Sequence, residues 1–133
     1  MTRISVPILL LLFGCGTAHG ADLQSVRSRE VYLPSGEVAV VSEGNIEPRS
    51  VGSYTLRIYS ASTPEFPYDD YVAGIVRPRD GFIESAAVHD IDMDGKDEVI
   101  VIIRNAGTGS YLSADAIQYN EGSLTLLVTV NGL

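Results

Sequence analysis

A chain of 133 residues with a net charge of −8 has the length of one domain and no basic patch with which to neutralise phosphates. Nucleic acid is thereby excluded as a partner, and the acidity favours a cationic one.

The chain opens with Met1-Thr2-Arg3, a ten-residue apolar run from Ile4 to Phe13, and the small residues Gly14 to Ala21. One positive charge, an apolar run and a small-residue exit define a secretory signal peptide, and the run is too short for a transmembrane helix. Ala18 and Gly20 stand at the −3 and −1 positions for cleavage after Gly20. The predicted division is a signal peptide over 1–20 and a single all-β domain over 21–133, released as a soluble protein. Cys15 follows Leu12-Phe13-Gly14, and Phe13 stands where a lipoprotein signal has a small residue. Membrane attachment is expected only if Cys15 is lipidated. Cleavage after Gly20 removes it, and the domain is then held by its core without a disulfide.

The remaining segments read as strands separated by turns. Ser28 to Leu33 alternates, Pro34-Ser35-Gly36 turns the chain, and Glu37 to Ser42 pairs back. Ser53 to Ser60 sets Tyr54, Leu56 and Ile58 on one side and Thr55, Arg57 and Tyr59 on the other. Ala61 to Asp70 contains two prolines and reads as a loop. Tyr71 to Val76 is a strand ended by Pro78, and Phe82 to His89 follows the turn at Asp80-Gly81. Val99 to Ile103, five β-branched residues in a row, reads as a central strand buried on both faces within Glu98 to Asn105. Leu112 to Tyr119 and Ser123 to Val130 are joined by a hairpin turn at Asn120-Glu121-Gly122. No segment carries a helical apolar period. About eight strands with closely spaced turns predict an antiparallel β-sandwich or a small barrel.

Few constellations carry chemistry. Asp90, Asp92, Asp94, Gly95 and Glu98 form a D-x-D-x-D-G-x-x-E turn whose hard oxygens suit Ca²⁺. The same residues serve equally as an acidic turn capping its own backbone, and no metal or other cofactor is assigned. An EF-hand does not fit, because Val101 falls at the twelfth loop position. His89 beside Asp90 has no accompanying nucleophile motif, so no catalytic residue is assigned and the chain is not read as an enzyme. Arg77 and Arg79 are expected to pair with Asp80 and Glu84 on the surface. Gly107-Thr108-Gly109-Ser110-Tyr111 lacks the lysine and helix of a phosphate loop. It offers three hydroxyls and one aromatic ring between two strands, with Gly107 and Gly109 expected to take positive φ.

Three stretches carry a resemblance: Leu33 to Tyr59, Val72 to Glu84, and Asp90 to Tyr119, which together make up most of the exported chain. They are similar to the periplasmic inhibitors of invertebrate-type (I-type) lysozyme found in Gram-negative bacteria. The resemblance implies a small all-β periplasmic inhibitor, with lysozyme as partner, that protects peptidoglycan. It further implies that a protruding Ser-Gly-x-Tyr loop blocks the lysozyme cleft. The corresponding residues here are Thr108, Gly109, Ser110 and Tyr111, with threonine replacing serine at the first position. The alternative is a calcium-dependent adhesion or carbohydrate-binding module that uses the Asp90–Glu98 turn. Whether the protein forms a homodimer stays open.

Overall fold

A computed structural model describes residues 27–133. The signal peptide, Cys15 and the cleavage site lie outside these residues. Eight strands follow in chain order: β1 (Ser28–Tyr32), β2 (Val38–Glu43), β3 (Gly52–Tyr59), β4 (Tyr71–Arg79), β5 (Phe82–His89), β6 (Glu98–Arg104), β7 (Leu112–Asn120) and β8 (Ser123–Asn131). They form two antiparallel four-stranded sheets in the orders β1-β2-β3-β4 and β5-β6-β7-β8. Each sheet is a meander built from one half of the chain. The sheets do not close on one another among the described residues, so the architecture is the sandwich and not the barrel.

Strict alternation explains the packing. Tyr54, Leu56 and Ile58 of β3 are fully buried, as are Ala39 and Val41 of β2. They meet Ile83, Val99, Val101, Ile103 and Ile117 from the facing sheet in one core. Each large aliphatic side chain buried there stabilises the fold by about 1.5–3 kcal/mol. Two polar ties cross the core. The Tyr54 hydroxyl donates to Asp115 Oδ2 at 2.5 Å, and the Ile83 amide donates to Glu43 Oε1 at 2.8 Å. The Tyr54 phenol titrates well above its ordinary range, because burial and the Asp115 carboxylate both oppose its ionisation.

Three expectations need correction. First, β6 is central in its sheet, but only Val99, Val101 and Ile103 face the core; Ile100 and Ile102 are half-buried on the outer face. There they oppose Ala87, Ala116, Ser85 and Ala114, so the run is apolar without a second layer above it among the described residues. Second, Pro78 does not end β4, which continues to Arg79. Strand β4 is an edge, where a residue without an N–H is tolerated. Third, Arg77 and Arg79 do not pair with Asp80 and Glu84. Arg77 lies 3.4 Å from Asp115. Arg79 is only 3% exposed, and its guanidinium donates to the carbonyls of Ser53, Arg49, Gly81 and Pro48 and to Glu47. Glu84 is taken by Arg104 instead.

The Glu121-Gly122 turn has φ of 48° and 79°. Two consecutive left-handed residues match the right-handed twist of a tight hairpin.

Candidate binding loop

Strand β6 delivers the chain to residues 105–111, and β7 takes it away. The loop is closed at its base by the Asn105 amide, which donates to the Tyr111 carbonyl at 2.8 Å. Directly below, Leu112 and Leu133 exchange backbone hydrogen bonds at 3.2 and 2.9 Å. Inside the loop, Ser110 N–H donates to the Gly107 carbonyl at 3.4 Å, and Gly107 N–H donates to Asn105 Oδ1 at 2.6 Å. The Asn105 side chain also donates to Asp80 Oδ2 at 3.3 Å. Thr108, Gly109, Ser110 and Tyr111 are all exposed, and Tyr111 keeps 60% of its surface in solvent. The arrangement is a rigid stem with a hydroxyl-bearing tip.

The positive φ falls on Ser110, at 50°, and not on either loop glycine. The turn closes between Gly107 and Ser110, so the reversal into β7 is taken by its last residue. Gly109 is required for space. A Cβ there would sit inside contact distance of three Tyr111 ring carbons. Gly109→Ala is therefore expected to push the ring aside with little change in the unfolding midpoint, as read by the NMR shifts of the Tyr111 ring and by thermal denaturation.

Sequence reasoning missed two members of this site. Arg104 donates to Glu84 through Nε and a terminal nitrogen, both at 2.9 Å, and to the Ser110 carbonyl at 3.3 Å. Asn105 forms the turn that starts the loop; an Asn two residues before a Gly is the available signal for it. The Arg104 guanidinium holds the Glu84 carboxyl below the usual carboxylate range. A depressed carboxyl pKa stabilises above the unfolded value and is lost as pH falls through the folded one. The pair is thus expected to persist below the pH at which a free glutamate protonates, which carboxyl NMR titration of Glu84 checks.

The acidic turn occupies the other end of β6, about 20 Å from the loop by strand rise. Asp90, Asp92, Asp94 and Glu98 converge as expected, with one ligand atom from each within 4.8 Å of the others. Most of these oxygens already serve the turn. Gly95 N–H donates to Asp90 at 2.8 Å, Lys96 N–H to Asp94 at 2.8 Å, and Ile91 N–H to the buried Glu98 at 2.7 Å. Asp90 Oδ1 is buried without a hydrogen-bond partner. The Lys96 amide draws Asp94 below the ordinary carboxyl range, while loss of water raises Asp92. His89 is exposed at the end of β5.

Two meander sheets and a braced, exposed loop make up a small all-β module. The family model described as periplasmic lysozyme inhibitor of I-type lysozyme matches residues 25–133, and the chain belongs to that family. The crystal structure of the Aeromonas hydrophila member is similar, with 46% identity and a TM-score of 0.73 over 80% of this chain and 89% of that one. The structure of the Aeromonas hydrophila inhibitor in complex with Meretrix lusoria lysozyme is 47% identical, with a TM-score of 0.73 over 80% of this chain and 85% of that one. Among curated proteins, none matches. The family is one of periplasmic protein inhibitors and not of enzymes.

Proposed function

We propose that this protein inhibits an I-type lysozyme by seating the tip Thr108-Gly109-Ser110-Tyr111 in the enzyme's active cleft. The observation that carries this reading is Tyr111, a large aromatic side chain 60% exposed on a loop whose backbone is fixed at its base. A glycosidase cleft carries two carboxyl groups flanking the scissile bond. The Thr108 and Tyr111 hydroxyls can donate to them while the loop excludes the sugar, and a hydrogen bond to a charged group contributes about 1.5–3 kcal/mol. The prebuilt loop lowers the ordering cost of binding. Net charge −8 speeds the encounter with a cationic enzyme. Lysozyme as partner accords with the Aeromonas hydrophila relative, whose structure is in complex with Meretrix lusoria lysozyme. Export with cleavage after Gly20 would place the domain between cell membrane and peptidoglycan. Purified protein titrated into lysozymes of different types tests the reading; failure to slow any I-type enzyme overturns it.

The second reading, a calcium-dependent module, has the convergence of four carboxylates and the unpartnered Asp90 Oδ1 in its favour. Inhibition is expected to persist in excess chelator, because the acidic turn and the loop lie at opposite ends of β6. Asp92→Ala and Asp94→Ala are expected to lower the unfolding midpoint modestly through lost turn capping. Loss of inhibition on chelation, restored by Ca²⁺, would favour the second reading.

A further inference from the structure

This inference rests on the loop reading above: we infer that the Glu84–Arg104 ion pair is a positioning device that sets the direction of the inhibitory tip. The argument starts in β5. Its pairing with β6 runs Phe82 to Arg104 and Ile83 to Ile103, then Ser85 to Ile102, so Glu84 is the extra residue of a β-bulge. A bulge re-aims a side chain at the cost of one ladder position. Here the carboxylate of the bulged residue meets Arg104 with both oxygens at 2.9 Å. Such a two-point pair fixes the plane of the guanidinium as well as its place. The remaining terminal nitrogen then reaches the Ser110 carbonyl at 3.3 Å.

Ser110 is the residue that needs such support. It holds a φ of 50°, a conformation a non-glycine residue adopts at some cost. The residue after it is Tyr111, so the peptide plane that Arg104 holds is the one that determines where the phenol points. Among the described residues nothing covers the tip, and the Arg104 contact acts alongside the Asn105–Tyr111 backbone bond. Both Glu84 and Arg104 are about a third exposed in their side chains, so the pair contributes little to global stability and its effect is local.

The test measures inhibition constants against one I-type lysozyme for Glu84→Gln, Arg104→Lys, Tyr111→Ala and the combinations of each of the first two with the third. Amide exchange at Asn105 and the unfolding midpoint are recorded for each. Glu84→Gln and Arg104→Lys are each expected to weaken inhibition roughly tenfold in the native background, to have little further effect once Tyr111 is alanine, and to speed exchange at Asn105 without shifting the midpoint appreciably. Equal effects with and without Tyr111, or losses that simply follow a lowered midpoint, would overturn the inference while leaving the loop reading intact. So would unchanged or tighter inhibition by Glu84→Gln, the mark of an Arg104 that touches lysozyme directly. Undiminished inhibition by Tyr111→Ala itself would overturn the loop reading and this inference with it.

Discussion

Tyr111→Ala is expected to weaken lysozyme inhibition by at least tenfold, equivalent to about 1.4 kcal/mol, while the protein melts as before. The side chain is 60% exposed and lies outside the core cluster, so its removal opens no cavity. Its ring rests over Gly109. An aromatic that becomes buried on binding contributes area and a hydrogen bond together, the usual composition of a hot spot. Thr108→Ala is expected to reach the same tenfold threshold through its hydroxyl alone, and to fall short of Tyr111→Ala. Inhibition assays paired with thermal unfolding decide the matter. A double variant that inhibits as well as the native protein reduces the loop to a hairpin, and one that inhibits poorly but also melts much lower makes Tyr111 a folding residue.

Arg79→Ala is expected to have the opposite profile: a large loss of stability, with inhibition affected only through the loss of folded protein. Its guanidinium is the hub of the 44–52 segment. It gathers carbonyls from Pro48, Arg49, Ser53 and Gly81, at 2.6–3.0 Å, and approaches Glu47 at 3.4 Å. Truncation leaves those four carbonyls without their donor, while Glu47 keeps the Ser53 amide and hydroxyl. Breaking a buried charged network costs roughly 3–5 kcal/mol. For a domain of this size that corresponds to a fall of at least about 10 °C in the unfolding midpoint. A shift of only a degree or two in a calorimetric scan would show that water replaces the guanidinium without penalty.

The contrast between these residues explains what the sequence could and could not reveal. Strands were legible because their signal is local. The alternation through Tyr54, Leu56 and Ile58 requires one buried face whatever lies opposite, and all three are fully buried. The hairpin at Glu121-Gly122 was legible for the same reason. Long-range partners were not. Arg79 and Glu84 are close in the chain and were expected to neutralise each other, yet each found its partner across a strand pair or a loop. The bulge at Glu84 leaves no mark in composition, and without it Arg104 could not be recognised as a neighbour of the tip. The site was half legible. Hydroxyls, ring and glycines mark residues 107–111, and the family likeness gives them a purpose. Which residue takes the left-handed conformation depends on where the turn closes, a tertiary matter that placed it on Ser110.

The meander topology divides the labour along the chain. Of the described residues, those up to Arg79 make one sheet and those from Phe82 onward make the other, which carries the tip, the Glu84 bulge and Arg104. The first half backs the second through the shared core and through polar contacts from Tyr54, Glu43 and Arg77. Selection for a new lysozyme can therefore work on the second half while the first is held by its core and by the buried contacts of Arg79, Tyr54 and Glu43. Among inhibitors of this kind, exchanging the two halves at Asp80-Gly81 should carry target preference with the C-terminal piece and thermal tolerance, in large part, with the N-terminal one.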